Sequence, residues 1–434
     1  MKQIQILRFW LPLLASWMLM TGEAPMVSAA VNRLPNEVVM LAALGVTYGL
    51  AVLIESPIIN LLATATALVQ DRASYRQVRR FTVHWMILLT AASWAIVFTP
   101  LFDWMVLRAM AIPAPVAEQV KIGLAIMIPW SAAIAWRRFL QGVLIHFNRT
   151  RFIAWGTLVR VVAVAIAVGV GLAAGVRSGI QLATTALICG VVVEALFATW
   201  AARPLHEGPL AEDSKDSKPL SYGALLEFHM PLAGTAVLTL LIQPAIAFAL
   251  ARLAEPTLSL AAWPIVFQLT LFMRATALSL PEVIIALDDG GPTRQALRRF
   301  SVMLTGATFV AMFAVAATPL ADFYLFAVQG TTAEIGEMAR YGFWLFLPMP
   351  AMVVVVSWYR GLLMKARKTG TVNWGVAVRL AVLLPVLGLG LLWQTSGMAV
   401  AAWSVNFSVA AELIFLAWAS RSLDTEPGSG NMTS

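Results

Sequence analysis

The chain has 434 residues, 60% of them hydrophobic and 12% charged, with a net charge of +8 and a mean hydropathy of +0.80. An ordinary soluble domain carries about a quarter charged residues, so this composition excludes a water-soluble protein and leaves room for about twelve helices of ~20 apolar residues. The single cysteine, Cys189, allows no intrachain disulfide, and four scattered histidines show no metal-ligand spacing, so neither a cofactor nor an enzymatic activity is expected.

In chain order, Lys2 and Arg8, the apolar run from Phe9 to Met20 and the triplet Ser28-Ala29-Ala30 have the outline of a cleavable secretory signal. The same segment recurs later in the chain, so it is expected to be the first membrane helix. Apolar runs bounded by charge or turn signals predict helices at about 4–31, 38–70, 82–107, 116–146, 152–175 and 179–202. A second set follows at about 222–251, 257–287, 300–327, 333–364, 371–394 and 397–420. With that count, about 18 basic residues fall on the N-terminal side of the membrane, and only Arg33, Arg108, Arg177 and Arg252 fall on the other. The bias predicts a multi-pass protein of the plasma or inner membrane with both termini cytoplasmic, and it explains the basic balance without nucleic acid. Residues 203–221 read as a polar linker, and the Gly/Ser-rich tail after Arg421 is expected to be disordered. No Gly-x4-Gly-Lys-Ser/Thr loop occurs, so energy is expected from a gradient.

The chain repeats itself. Pro348 follows Pro129 by 219 positions, and the same offset carries Gly142 to Gly361, Trp155-Gly156 to Trp374-Gly375 and Arg160 to Arg379. It also carries Arg33 to Arg252, Arg79-Arg80-Phe81 to Arg298-Arg299-Phe300, and Asp103 to Asp322. Matched prolines, arginines and tryptophans at one offset mark two homologous halves. The predicted fold is therefore an all-α polytopic membrane protein of two six-helix lobes, residues 1–202 and 222–421, related by a pseudo-two-fold axis along the membrane normal. This is a recurring plan of secondary transporters with a shared midplane cavity.

Charges inside predicted spans cost about 2.5–3.5 kcal/mol each on insertion scales, so each calls for a partner or a role. Arg160 and Glu194 fall at similar depth on adjacent antiparallel helices, as do Arg379 and Glu412. The spacing reads either as two duplicated structural ion pairs or as proton or sodium sites at Glu194 and Glu412. Glu55 and Arg274 are repeat equivalents near the middle of their helices, and they read as a gating or substrate-binding pair. Pro57 and Pro281 free carbonyls beside them. Arg137 and Arg138 have no acidic residue nearby in the sequence. Only one of two adjacent positions faces a narrow cavity fully, and Arg138 is favoured. Arg360 lies about five residues from Lys365 and can snorkel. Arg138, Arg274 and Arg360 together would form an electropositive pathway suited to carboxylate or phosphate. Glu23, beside Gly22 and Pro25, reads as a coupling-ion or substrate site. Asp103 and Asp322 read as interfacial caps, and His84 and His229 as solvated.

At Phe9-x-x-Pro12-Leu13, Gly22-Glu23, Asn32-Arg33, Tyr48-x-Leu50, Pro57, Pro129-x3-Ala133-x-Ala135-Trp136, Pro348-x-Pro350, Gly361-x-Leu363-Met364, Lys368-Thr369 and Val378-Arg379, the sequence resembles the progressive ankylosis protein (ANKH) family. That family lies within the multidrug/oligosaccharidyl-lipid/polysaccharide (MOP, MATE-like) exporter superfamily. The resemblance implies a V-shaped pair of six-helix lobes that exports small polyanions such as citrate, pyrophosphate or nucleotide by alternating access. The animal members carry an acidic residue near the position of Ala132, where this chain is neutral. The alternatives are a drug antiporter in which Glu23 and Glu55 bind the coupling ion, and a lipid-linked sugar flippase. A monomer in the bilayer, taking a small anion with a coupling proton or sodium, is the expectation.

Overall fold

The low dielectric of a bilayer forces backbone groups into helices, and the computed structural model, which describes residues 3–212 and 220–424, is helical with no strand among the described residues. Residues 213–219 of the expected linker and 425–434 of the expected disordered tail lie outside the described residues. Ten helices are long and apolar enough to span a membrane, and twelve spans result when two bent pairs are each taken as one. We label them α1 (Gln3–Val31), α2 (Glu37–Leu68), α3 (Arg72–Phe98), α4 (Ala114–Ile126 with Trp130–His146), α5 (Arg151–Ala173) and α6 (Gly179–His206). The second half supplies α7 (Tyr222–Leu250), α8 (Pro256–Leu287), α9 (Gly291–Ala317), α10 (Ala333–Leu345 with Met349–Lys365), α11 (Thr369–Trp393) and α12 (Gly397–Asp424).

The backbone repeats at the sequence offset. The breaks in α4 and α10 bend by 46° and 45°. Each second piece starts behind Pro129 or Pro348, where a missing N–H interrupts the hydrogen-bond ladder. Left-handed backbone recurs in pairs 219 apart: Asn36 with Glu255, Ala111 with Gly330, Asn148 with Arg367, and Gly175 with Gln394. A π-helical turn follows α3 at Asp103–Ala109 and α9 at Phe323–Val328. Two interhelical contacts recur as well. A Cβ on Gly142 would lie 2.4 Å from the Leu62 carbonyl, and one on Gly361 would lie 2.8 Å from Ile284 Cδ1. His146 Nδ1 donates to the Thr66 carbonyl at 2.9 Å, and Lys365 Nζ donates to that of Ile285 at 2.9 Å.

Sequence and structure differ at several boundaries. Helix α3 begins at Arg72, ten residues before the predicted start, because Asp71 accepts from the Ser74 amide at 2.9 Å while Ser74 Oγ accepts from the Asp71 amide at 3.0 Å. This reciprocal cap carries Arg72, Arg76, Arg79 and Arg80 into the helix instead of leaving them in a loop. Thr99 and Pro100 end α3 early, and the apolar run beyond forms the π turn. Asp322 pairs with Arg340 at 2.8 Å on the surface, with no cap bond from its side chain among those found. His84 is exposed, whereas His229 is fully buried. Its Nε2 donates to the Pro57 carbonyl at 2.9 Å, and its Nδ1 lies 2.8 Å from Thr64 Oγ1.

The described chain gathers into two compact units. The larger comprises Gly22–Ile265 and Tyr324–Ala339; the smaller comprises the segment through Thr21, Val266–Phe323 and the chain from Arg340 onward. Contact compactness and repeat descent thus draw different boundaries: α1 divides at Thr21, α8 at Ile265 and α10 at Ala339, while α7 lies whole in the larger unit.

Inside the larger unit the two halves of the repeat clasp one another. Arg33 Nη2 donates to the carbonyls of Ala327 and Val328 at 3.2 and 3.0 Å, and its Nη1 donates to that of Ala29 at 2.6 Å. Its repeat equivalent, Arg252, donates to the carbonyls of Ala109, Met110 and Phe248, the last at 3.1 Å. Each π turn ends on carbonyls with no helical partner, and a planar guanidinium carries enough donors to satisfy several at once.

Arg33→Ala and Arg252→Ala should each lower the melting temperature of the purified protein, at about 1.5–3 kcal/mol per charge-assisted bond lost, and the double variant should lose more than either. Gly142→Val should destabilise by about 1–3 kcal/mol through overpacking. Unchanged thermal melts in detergent would contradict these assignments.

Candidate functional site

Six ionisable groups from membrane spans gather in the larger unit: Glu23 on α1, Glu55 on α2, Arg137 and Arg138 on α4, Arg160 on α5 and Glu194 on α6. Four of them bond tightly. Arg160 Nη2 donates to Glu23 Oε1 at 3.0 Å, and its Nε stands 2.8 Å from Oε2 in an ion-pair contact. Arg137 Nη1 lies 2.7 Å from Glu194 Oε2, whose other oxygen accepts from Gln141 Nε2 at 3.1 Å. The pairing expected from the sequence, Arg160 with Glu194, is a longer 3.8 Å contact. Glu23 begins the second piece of α1, after the break at Gly22, and belongs to the larger unit with Arg160. Glu23 and Glu194 are 5% and 1% exposed, so their partners, not water, hold their charge.

The remaining two groups are not bonded in this way. Glu55 is 6% exposed, and its Oε2 is buried with no hydrogen-bond partner. Among the described residues, no cation lies within ion-pair distance of Glu55, nor any carboxylate within that distance of Arg138, whose Nε is likewise buried and unpartnered. The smaller unit shows the same pattern with a different balance. Glu412 on α12 is 1% exposed and accepts from Arg360 on α10, through Nε at 2.9 Å and through Nη2, while Arg379 Nη1 on α11 stands 3.9 Å from its Oε2. Arg360 therefore turns inward onto a carboxylate, where the sequence allowed it to snorkel. Arg274 on α8 has no hydrogen bond or ion pair among the described residues, and its Nε is buried.

The repeat explains the geometry. Gln141 and Arg360 occupy equivalent positions, and each donates to the carboxylate of the last helix in its half. Gly156 and Gly375, also equivalent, admit those glutamates: a Cβ there would meet Glu194 Cγ at 3.6 Å and Glu412 Cγ at 3.5 Å. Glu55 lies in the larger unit and Arg274 in the smaller. Sequence reasoning missed Arg137 as the partner of Glu194, because the two are 57 positions apart on different helices. It also missed Gln141; its position opposite Arg360 in the repeat was the signal that could have found it. No group of three or more His, Cys, Asp or Glu side chains able to hold a metal ion occurs among the described residues.

The fold is that of MATE-type transporters of the MOP superfamily, with two lobes and ten to twelve membrane helices. A MATE family multidrug resistance transporter of the MOP superfamily, solved in its inward-facing conformation, matches with a TM-score of 0.70 at 13% identity, over 94% of this chain and 96% of that one. A MOP superfamily transporter from Pyrococcus furiosus, described as having a binding pocket of reverse polarity, matches at 0.63 and 14% identity over 98% of both chains. The lipid II flippase MurJ, in an inward closed conformation, matches at 0.73 and 12% identity over 95% of this chain and 86% of its own. No family model matches the sequence, and no curated protein matches it.

Glu194→Gln should destabilise the protein by about 3–5 kcal/mol, because it strands Arg137 in the membrane, whereas Gln141→Leu should cost less. Thermal unfolding in detergent reads both. Equal stability of wild type and Glu194→Gln would remove the ion pair from a structural role.

Proposed function

We propose that the chain is a secondary active transporter that exports small organic or phosphate-containing anions, of the citrate, pyrophosphate or nucleotide class, by alternating access. The observation that carries this reading is the pair of guanidinium groups, Arg138 and Arg274, set in membrane spans with neither a hydrogen bond nor an ion pair to a carboxylate among the described residues. A cation without a partner is costly in a bilayer, and a protein that keeps one has a use for an anion that neutralises it. Guanidinium offers forked donors matched to carboxylate and phosphate oxygens. Arg360, although bound to Glu412, is still 30% exposed at its side chain and can share an anion with Arg274. The cation-exporting reading has less to work with, since Arg160 engages both oxygens of Glu23.

A second reading follows from the likeness to a lipid II flippase: the same arginines would suit a diphosphate on a lipid carrier. Proteoliposomes loaded with labelled citrate, labelled pyrophosphate or an organic cation separate these readings. Efflux of either anion supports the proposal, and efflux of the cation alone overturns it. Movement of a fluorescent isoprenoid diphosphate between leaflets, with no efflux of soluble anions, selects the flippase. Arg274→Gln should reduce anion efflux by about ten- to a hundredfold, the worth of one or two charge-assisted bonds, with the melting temperature unchanged or raised.

A further inference from the structure

The intramembrane cluster of the larger unit sets three guanidinium groups against three carboxylates, and the tight contacts engage four of these six. Arg160 binds Glu23 at 2.8 Å and Arg137 binds Glu194 at 2.7 Å, leaving Glu55 and Arg138. These two feel one another electrostatically but do not bond. Each keeps a buried polar atom without a partner, Oε2 on Glu55 and Nε on Arg138. As formal charges they cancel, so the six-group cluster sums to zero while nothing is bound.

An anion that engages Arg138 ends this balance. The added negative charge would leave Glu55 as an uncompensated carboxylate, 6% exposed, in a membrane span. A carboxylate in that position relieves the excess by taking a proton. Resting on the anion reading above, we infer that Glu55 is the proton-carrying counter-ion of Arg138 and binds one proton for each anion received there. In the step, one O–H bond forms on the Glu55 carboxylate as one O–H bond of a hydronium ion breaks and leaves water. No covalent bond to the anion is made, and the proton offsets one of the ligand's negative charges. Release of the anion returns the proton.

The neighbouring groups favour Glu55 over the other carboxylates. Glu23 is engaged by Arg160, and Glu194 by Arg137 and Gln141, so neither is left without a bonded partner as Glu55 Oε2 is. Three charged groups act on Glu55 directly, Arg137 and Arg138 from α4 and Arg160 from α5. Glu23 on α1 and Glu55 both act on Tyr48, which shares α2 with Glu55. Helix α7 presents His229, which is already bonded to the Pro57 carbonyl and Thr64. In the other half of the repeat the Glu55 position is Arg274, a fixed cation, so an anion held by Arg274 has no matching proton. Coupling then belongs to the larger unit alone.

The test is calorimetric binding of pyrophosphate and of citrate to the purified full-length chain. Titrations in two buffers of different ionisation enthalpy count protons, and wild type is compared with Glu55→Gln under identical conditions so that the ligand's own protons cancel. Wild type should take up about one proton more per anion than the variant. Above neutral pH its affinity should fall by about tenfold more per pH unit than that of the variant, as linkage to one proton requires. Arg138→Gln should lose the extra proton together with the site. Equal proton uptake by wild type and Glu55→Gln, with anion binding intact, overturns this inference and leaves anion transport standing. Failure of wild type to bind either anion overturns both. If Glu55→Gln does not fold, Glu55→Asp keeps a titratable group and should take up as many protons per anion as wild type under identical conditions, whereas Glu55→Ala should take up about one fewer; equal uptake by wild type and Glu55→Ala overturns the inference.

Discussion

A charge in hydrocarbon has no solvent to lean on, and that constraint organises the interior of this protein. Arginine and glutamate side chains in the spans are brought together from helices far apart in sequence: α1 with α5, α4 with α6, and α10 with α12. The price of a buried charge is offset only when a partner stands at hydrogen-bond distance. Once those partners are assigned, what remains is informative. Arg138 in one unit and Arg274 in the other have a buried, unbonded Nε and no ion pair with a carboxylate among the described residues, and Glu55 has a buried, unbonded Oε2.

The duplication supplies the frame on which these charges diverged. Prolines, π turns, left-handed residues and close glycine contacts recur at one offset, because backbone geometry admits few substitutes at such points. Charged positions were freer to change. The Glu55 position is an arginine in the other copy, and the Gln141 position is likewise Arg360, while Arg160 and Arg379 are preserved in kind. The result is a neutral ensemble of three cations and three anions in the larger unit and, around Glu412 in the smaller, an excess of arginine.

Much of the fold was legible in the sequence. Apolar run length gave the helices, and matched prolines and arginines gave the duplication, because both signals are local or fall at a constant interval. The ends of α3 and α9 were not legible: the cap at Asp71 and Ser74 and the π turns depend on backbone bonds that composition does not register. Within the site, depth on adjacent helices correctly brought Arg160 near Glu194, yet depth along a helix says nothing of direction around it. Direction decides that Arg137 takes the shorter bond to Glu194 and that Arg160 takes Glu23. His229 shows the same limit, since a residue near a helix end can be covered by the aromatic rings of a neighbour, here Phe81 and Trp85.

The arginine clasps at the π turns have a bearing on ancestry. Arg33 from the first half holds the turn of the second, and Arg252 from the second holds the turn of the first. In such a contact, residue i of one copy meets j of the other while j meets i, which is the signature of an isologous interface between identical subunits. A six-helix precursor could close its turns only by dimerising with itself, and gene fusion would have made that partnership permanent. Severing the present chain at the linker would return each half to the same dependence.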